Sequence, residues 1–296
     1  MFPNLTIGPL NINMYDAMYG VGIIGMFVIC LLSRKIYKTN LVRAIVYTAI
    51  TFVFGVAGAK LMGIVYSKTL EAVSDGAYVP DSGVCIFGAL MFLPVFMLLL
   101  ALCSREKYRK LMDYMTPGIF LILGCAKFGC ILSGCCFGIP YENGVYTKHM
   151  DTLVFPVQIY ESICTFTVVA ILIVLMLKRG KIRYGSLYPI GTILYCGCRM
   201  FWENYRYYEH AVEYDFLGKL TYWQHWALIA IIISVVWLAV LYSQEKYRDC
   251  DIEFGRIKIK DSVNSLEATI KEKKKEKHRK KAKKYQEKSK ELKKKK

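Results

Sequence analysis

The stretch YCGCRMFWENYR, which begins at residue 195, places a phenol, two guanidinium groups and a carboxylate on one face of a predicted helix. These groups fall within about 80° of one another at 100° per residue. Guanidinium groups bind phosphate through paired hydrogen bonds, and a neighbouring carboxylate can orient them. The stripe therefore predicts a phosphate site, in which the catalytic candidates are Tyr195, Arg199 and Glu203.

Two more cations, Lys60 and Lys127, interrupt apolar segments of the sequence. Like Arg199, each follows the start of its segment by about 15 to 19 residues, which at ~1.5 Å per residue gives similar heights across a membrane. Ionisable residues within a membrane are costly and usually face an interior site. One interpretation is a structural ion-pair network, with counter-charges from Asp16, Glu161 and Glu203. The other is a phospholipid headgroup site, whose phosphate-binding candidates are Lys127, Arg199, Lys60 and Arg206.

The segment GCILSGCCFG, residues 129–138, crowds three cysteines and three glycines onto the end of a predicted helix. The spacing Cys-x4-Cys-Cys does not match a zinc framework, so we expect no metal and no cofactor. A disulfide stays open as an alternative because the segment ends at an oxidising face. The favoured interpretation is that Gly129, Gly138 and the small cysteines let backbone and lipid headgroup approach closely.

Seven apolar segments must position these residues. Each is close to the ~20 residues that a helix needs to cross a bilayer, and the segments are too long and too evenly apolar for barrel strands. The sequence therefore predicts an all-α polytopic membrane protein with seven transmembrane helices. The segments are 15–33, 41–66, 83–103, 112–131, 156–177, 184–202 and 223–242.

Clusters of Lys and Arg follow the first, third, fifth and seventh segments. The positive-inside rule makes this side cytoplasmic, so we expect the N-terminus outside and the C-terminus in the cytoplasm. The first residues lack a basic region and do not form a signal peptide. Because the first and fifth segments run inward and the second, fourth and sixth run outward, the candidate site lies towards the outer leaflet.

More than half of the formal net charge of +17 lies after residue 243. This part has no apolar stripe and cannot bury enough surface to fold alone. We therefore expect two domains, a membrane domain over 1–242 and a disordered or solvated-helical basic tail over 243–296. Anionic lipid of the inner leaflet is a candidate partner for the tail. Nucleic acid is not expected as a partner, because no recognition motif is present.

Several stretches, in this order and spacing, resemble one family: GPLNINMYDAMYG, FGVAGAKLMGIVY, AKFGCILSGCCFG, FPVQIYES and LYCGCRMFWENYR. They resemble bacterial prolipoprotein diacylglyceryl transferase over the whole apolar part of the chain. The resemblance implies a multi-pass enzyme of the bacterial cytoplasmic membrane. Such an enzyme moves the diacylglyceryl group of phosphatidylglycerol to the lipobox cysteine of a prolipoprotein and releases glycerol phosphate. The implied partners are phosphatidylglycerol and prolipoprotein signal peptides.

The resemblance also implies roles for individual residues. It implies that the family's polar stripe in the sixth segment consists of Tyr195, Arg199, Glu203 and Arg206. It assigns supporting roles to Gly129, Gly138, Gln158, Tyr160 and Glu161.

The chain departs from the family pattern at positions that matter for chemistry. Phe87 and Phe155 stand where the family has His, and Lys127 stands where it has Arg. Phe cannot take a proton, and Lys cannot make the planar two-pronged contact of Arg. Two other functions therefore stay open: a non-catalytic phospholipid-binding or translocating paralogue, and a membrane thiol oxidoreductase that uses the cysteines of residues 130–136.

Overall fold

The protein is described by a computed structural model that covers residues 4–7, 10–76, 83–147, 150–178, 182–209, 213 and 218–243. The predicted tail after Ser243 lies outside these residues. So do two histidines that precede the tail, His149 and His210. The predicted division into a membrane domain and a tail therefore stays a prediction.

Seven long helices dominate the described residues, and their positions match the seven predicted segments to within a few residues at most ends. They are α1 (Met14–Ser33), α2 (Leu41–Val73), α3 (Ile86–Ser104), α4 (Tyr108–Ser133), α5 (Val157–Leu177), α6 (Leu187–Glu203) and α7 (Tyr222–Ser243). Six of these are long and apolar enough to cross a membrane, and the remaining one, α6, has 17 residues. The prediction of a mostly helical, polytopic membrane protein is confirmed.

Two antiparallel hairpins, which the sequence analysis did not anticipate, accompany the helices. The first joins β1 (Asn4–Ile7) to β2 (Leu10–Asn13), and the second joins β3 (Pro140–Thr147) to β4 (Thr152–Val154). In the second hairpin the register shifts between Pro140 and Val145. This hairpin follows α4 and leads into α5, so it joins the two helices that supply Lys127 and Glu161.

Helix α4 lies at the centre of the helical body, because nearly all of its residues after Leu111 are buried. Small residues let neighbouring helices approach it. A Cβ atom at Gly129 would lie 3.2 Å from the Cα of Tyr15, and one at Gly22 would lie 3.0 Å from the Cα of Ile122. Close contact of this kind through glycine is typical of helices that pack within a membrane. Lys127 therefore enters the protein interior on a helix that is closely packed against α1.

The start of α6 is fixed to α4 by Asp113, a fully buried residue of α4. Its carboxylate accepts hydrogen bonds from the backbone N–H groups of Gly185 at 2.7 Å and Leu187 at 2.9 Å. Helix N-termini leave such N–H groups without intrahelical partners, and a negative charge there also interacts favourably with the helix dipole. The carboxylate of α4 thus caps α6, the helix that carries Arg199 and Glu203.

Candidate functional site

The carboxylate of Glu161, on α5, lies at the centre of a buried group of charges. Its Oε2 atom lies 2.9 Å from the Nζ atom of Lys127 and accepts a hydrogen bond of 2.7 Å from Nη2 of Arg206. Its Oε1 atom accepts a hydrogen bond from Nη1 of Arg199. The side chain is only 4% exposed. One carboxylate therefore joins cations from α4, from α6 and from the segment after α6.

The carboxylate of Glu203 is the second acceptor in this group, and it is fully buried. Its Oε2 atom lies 2.7 Å from Nη2 of Arg199 and 3.5 Å from Nε of Arg206. Its Oε1 atom accepts hydrogen bonds from the hydroxyl groups of Tyr208 and Thr221. Arg199 is thus held between two carboxylates, with its guanidinium plane fixed on both sides.

The charges in this group do not balance. Within the described part of the chain, the ion pairs join three cations, Lys127, Arg199 and Arg206, to two carboxylates, Glu161 and Glu203. All five side chains are buried, where an uncompensated charge is expensive. The arrangement therefore has the charge expected of a site that receives one more negative charge from a ligand.

The surroundings of Tyr208 and Arg206, just beyond α6, shift the pKa of both side chains. Burial and then the negative charge of Glu203 raise the pKa of Tyr208, so its phenol stays protonated and donates to that carboxylate. Although burial opposes its charged form, the carboxylate of Glu203 keeps the pKa of Arg206 above its ordinary value. Both groups keep their protons across the physiological pH range.

A cavity of about 240 Å³, a volume that includes the open space at its mouth, lies beside these charges, and we call it the polar cavity because charged side chains line it. Lys127, Glu161 and Arg199 line it together with Tyr195, which is buried on α6 one turn before Arg199. Trp202 closes part of the wall, and its ring stacks on that of Tyr160 with centroids 4.7 Å apart. Four of the predicted site residues therefore face one space: Lys127, Glu161, Tyr195 and Arg199.

The segment after α4 is hydrogen-bonded on both sides, and this fixes Arg206. Gly138 donates its N–H to the carbonyl of Phe155 at 3.0 Å, and Ile139 donates to the carbonyl of Tyr205 at 3.0 Å. A bridge pairs Gly138 with Arg206. A Cβ atom at Gly138 would lie 2.5 Å from both carbonyl oxygens, so only glycine fits between them.

Gln158, a predicted supporting residue, donates its side-chain amide to the carbonyl of Cys135 at 2.7 Å. This bond ties the first turn of α5 to the three-cysteine turn, which comprises Cys130, Cys135 and Cys136. The Sγ atoms of these cysteines all lie within 4.8 Å of one another. Hydrogen bonds from the thiols of Cys130 and Cys135 lower the pKa of Cys136, and the charge of Arg206 acts in the same direction against burial.

A second cavity, of about 610 Å³, is mostly apolar and lies among α1, α2, α3 and α4. Tyr15 and Tyr19 line it from α1, and Ala126 lines it from α4. Ala126 directly precedes Lys127, which lines the polar cavity. Consecutive helix residues point about 100° apart, so the two cavities lie at the same height on α4 but on different sides of it, one with an apolar wall and one with charged groups.

Lys60 differs from the other predicted phosphate ligands. Its side chain is exposed, because α2 turns Gly58, Ala59 and Met62 towards α3 and leaves position 60 on another face. Its charge acts on Cys85, at the start of α3. Lys60 therefore does not belong to the buried group of charges, and its role as a phosphate ligand stays a prediction. The predicted counter-charge Asp16 is likewise exposed, at the start of α1.

Phe87, which stands where the family that the sequence resembles has His, is buried. Its ring is stacked on that of Trp223 with centroids 5.8 Å apart and planes 9° apart. His225 is partly buried, and its Nδ1 atom lies 3.0 Å from the carbonyl oxygen of Thr221. Among the described residues, the ion pairs and hydrogen bonds around Glu161 and Glu203 involve no imidazole.

Sequence reasoning missed Tyr208, Thr221 and Asp113. Tyr208 and Thr221 lie 5 and 18 residues after Glu203, and no helical spacing relates them to it. Asp113 lies 72 residues before the N–H group that it caps at Gly185. An acidic residue near the start of an apolar helix was the available signal, since a buried carboxylate requires hydrogen-bond donors.

Comparison with known proteins gives a consistent result. The chain matches the family model described as Prolipoprotein diacylglyceryl transferase over residues 4–240. A protein of Dehalococcoides mccartyi named phosphatidylglycerol–prolipoprotein diacylglyceryl transferase is 26% identical over 259 residues, which are 83% of this chain and 95% of that protein. A protein of Clostridium novyi with the same name is 22% identical over 77% of this chain and 90% of its own length. One of Clostridium perfringens, named transferase 2 of this type, is 26% identical over 53% of this chain and 65% of its own length.

Proposed function

The chain belongs to the prolipoprotein diacylglyceryl transferase family, and from that premise we propose that it transfers the diacylglyceryl group of phosphatidylglycerol to the lipobox cysteine of prolipoproteins. The cysteine sulfur forms a bond to the glyceryl carbon that carries the phosphate ester. The bond from that carbon to the ester oxygen breaks, and glycerol phosphate leaves with the electron pair. The thiol proton passes to the leaving phosphate, so atoms and charge balance.

The observation that carries this proposal is the buried excess of positive charge beside the polar cavity. A phosphodiester brings one negative charge, which balances the three cations and two carboxylates of the site. As the ester bond breaks, the leaving phosphate gains a second negative charge. Fixed cations in a poorly hydrated site stabilise that developing charge more strongly than water does. In this proposal Lys127, Arg199 and Arg206 bind the phosphate, and Tyr195 and Glu203 orient Arg199.

The adjacent apolar cavity supports a lipid as the donor. Its lining from four helices suits an acyl chain, and the polar cavity lies at the same height on α4, at Lys127. A phospholipid has the same sequence of parts, with apolar chains joined to a charged phosphate. We accordingly propose that the lipid lies with its chains among α1–α4 and its phosphate near Glu161.

The proposed orientation places this site towards the outer leaflet of the bacterial cytoplasmic membrane. Basic clusters follow α1, α3, α5 and α7, which makes their ends cytoplasmic. The N-terminus is then outside and all seven helices cross the membrane. Lys127, Glu161 and Arg199 lie in the half of each helix nearer the opposite side, where secreted prolipoproteins arrive.

The direct test uses the purified full chain in vesicles that contain phosphatidylglycerol, with a lipobox peptide as acceptor. Mass spectrometry should find the peptide with a thioether-linked diacylglyceryl group, and an equal amount of glycerol phosphate. Binding of phosphatidylglycerol without any product would favour the non-catalytic lipid-binding alternative. Oxidation of the peptide thiol to a disulfide, without lipid transfer, would favour the oxidoreductase.

Lys127 tests the phosphate site, because Arg can bind a phosphate but cannot act as a base near neutral pH. Lys127→Arg should keep the rate of transfer or raise it, whereas Lys127→Met should lose most of it. The transfer rate of each variant is divided by the amount of that variant that still binds phosphatidylglycerol. Loss of transfer in both variants, with lipid affinity kept in Lys127→Arg, would instead make Lys127 the base. Full activity in Lys127→Met would contradict the proposed site.

A further inference from the structure

The three-cysteine turn, formed by Cys130, Cys135 and Cys136, remains without a role in the proposed reaction. Cys130 is buried in the last turn of α4, and the other two cysteines are exposed in the turn that follows. The spacing along the sequence does not resemble a metal-binding motif. The fold nevertheless brings the three sulfur atoms to within 4.8 Å of one another.

Backbone hydrogen bonds and two left-handed residues shape this turn. Gly134 adopts a left-handed conformation with φ of 74° and donates its N–H to the carbonyl of Cys130 at 2.9 Å. Cys136 also has a left-handed φ of 57°, which is unfavourable for a residue with a side chain. Gln158 binds the carbonyl of Cys135 between them. Two left-handed residues within three positions therefore end the helix and turn the chain back, and the cysteines converge.

We propose that Cys130, Cys135 and Cys136 bind a zinc ion through three thiolates and leave its fourth position open for the acceptor thiol. Zinc prefers four ligands in a tetrahedron at about 2.3 Å from sulfur, which separates sulfur atoms by about 3.8 Å. The sulfurs of the turn need to move by about 1 Å to reach that geometry. Three protein ligands with one open position are typical of catalytic zinc sites, and a fourth sulfur completes a favoured coordination.

The surroundings of the turn suit a negatively charged metal centre. Three thiolates and Zn²⁺ carry a net charge of −1, and the charges of Lys127 and Arg206 act on Cys136. In the proposed reaction the metal centre and the lipid phosphate share these two cations. The positive charge of Arg206 favours the thiolate form of Cys136. Hydrogen bonds and positive charge around coordinating sulfurs stabilise a metal site and fix its ligands.

The position of the turn also suits thiol activation. Lys127 and Cys130 are three residues apart and share one face of α4. Tyr15, which lines the apolar cavity, lies in electrostatic range of all three cysteines. A thiol bound to the zinc is therefore close to both cavities that we assign to the lipid. Glu161 and Glu203 are each engaged by cations, so neither carboxylate is well suited to take the thiol proton.

Coordination to zinc would release the thiol proton to solvent before carbon–sulfur bond formation, because a metal-bound thiol is deprotonated. The sulfur of the lipobox cysteine would then attack the glyceryl carbon, and the departing glycerol phosphate would take up one proton from solvent, so atoms and charge balance. Neither zinc nor the three cysteines change oxidation state. This inference rests on the proposed function for the identity of the incoming thiol, but the metal site itself does not.

Metal content tests the site independently of activity. The full chain, purified under reducing conditions without chelators and then incubated with Zn²⁺, should contain about one zinc per chain, in line with one three-cysteine site. Cys135→Ser and Cys136→Ser should each lower zinc affinity by more than the 10- to 100-fold that is usual for losing a ligand's hydrogen-bond partner. Cys103→Ser, which removes an exposed cysteine at the end of α3, is the matched control and should keep the zinc. Absence of zinc, or equal zinc in all three variants, would overturn the proposal.

Cobalt tests the open position. Co²⁺ in place of zinc should give intense sulfur-to-metal absorption in the near ultraviolet, and a lipobox peptide should shift this absorption. The same peptide with Ser in place of its Cys should not. A disulfide among the three cysteines in the protein isolated without oxidant, or no response to the peptide, would overturn the inference.

Removal of zinc by a chelator should abolish lipid transfer, and Zn²⁺ should restore it. Transfer that is unaffected by complete removal of zinc would overturn thiol activation. If no preparation transfers lipid but the cobalt absorption responds to the peptide cysteine, the proposed reaction fails and the zinc site stands.

Discussion

Arg199 illustrates how individual residues of the site are held. Its guanidinium group is fixed by Glu161 on one side and by Glu203 on the other, and both carboxylates are buried. A side chain with this many fixed contacts loses little entropy when it binds a phosphate. The residue is therefore suited to stabilise a charge that appears only as the ester bond breaks.

We predict that Arg199→Ala lowers the rate of lipid transfer strongly. The variant leaves a developing phosphate charge without its donor and leaves two carboxylates facing each other. Loss of one such donor typically costs about 2.7–4 kcal/mol of transition-state stabilisation, or about 10²–10³ in rate.

The matched control is Arg43→Ala, which breaks an ion pair of 2.8 Å with Glu106 at a site where Arg43 is 59% exposed. An exposed pair contributes about 0–1 kcal/mol, so this variant should transfer lipid at the normal rate. Equal rates in the two variants would contradict the assigned role of Arg199.

Gly138 is the second residue for which the geometry gives a sharp prediction. A Cβ atom there would press on the carbonyl oxygens of Phe155 and Tyr205 at 2.5 Å, so Gly138→Ala must push the two segments apart. We expect a loss of about 1–3 kcal/mol in the free energy of unfolding, as for other overpacked sites. Transfer should also slow, because Arg206 moves with its paired segment.

Gly20→Ala is the control for this change, since no atom lies within 4 Å of a Cβ at that position of α1. It should leave stability unchanged or raise it by up to about 1 kcal/mol. Thermal unfolding in detergent measures both variants. A Gly138→Ala protein as stable and active as Gly20→Ala would show that the segment after α4 does not position Arg206.

At the scale of elements, the buried charges depend on how α4 and α6 are joined. Asp113 anchors the first turn of α6, and the charged residues Arg199 and Glu203 lie on the last two turns of the same helix. A displacement of the first turn of α6 also displaces its last turn, because a helix of 17 residues is stiff.

We predict that Asp113→Asn destabilises the protein by about 1.5–3 kcal/mol, the usual range for hydrogen bonds to a charged group. Asn keeps one acceptor oxygen but loses the second acceptor and the charge. The transfer rate should fall along with the melting temperature. Asp151→Asn, which alters the exposed hydrogen bond between Tyr146 and Asp151, should change neither. Equal melting temperatures in the two variants would contradict the capping role.

The elements also show what sequence reasoning can and cannot predict. Helix positions followed from apolar length, and the alignment of Tyr195, Arg199 and Glu203 followed from helical spacing within α6. The exposed face of Lys60 did not follow, because equal height in a membrane does not specify rotation about the helix axis. The convergence of three cysteines also did not follow, because it depends on two left-handed residues in a turn.

At the scale of the whole molecule, the charge of the chain is divided very unevenly. The helical body is nearly neutral apart from its interior site and its basic connections, whereas the part after residue 243 is strongly basic. The family match ends at residue 240, close to the end of α7. The site residues and both cavities all lie before that point.

We therefore predict that removing the residues after about position 250 leaves lipid transfer intact. The measurement is the transfer rate in phosphatidylglycerol vesicles at physiological salt, for the full and the shortened chain. The shortened chain should bind anionic lipid of the inner leaflet more weakly than the full chain. Each nearby Lys or Arg contributes about 1 kcal/mol to such binding. Loss of most transfer activity on truncation would contradict this prediction.

The ion pair between Lys127 and Glu161 has a consequence for biogenesis. Helices enter a membrane in the order in which they are synthesised, so α4 and α5 arrive before α6 brings Arg199. A charged residue in a lone inserting helix costs about 2.5–3.5 kcal/mol at the centre of the membrane, and less nearer the helix ends, where Lys127 and Glu161 lie. Because Lys127 and Glu161 lie 2.9 Å apart in the finished protein, the α4–α5 hairpin can neutralise both charges before α6 exists. The lysine that we assign to phosphate in the mature protein would then first act as the insertion partner of the glutamate at the centre of the site.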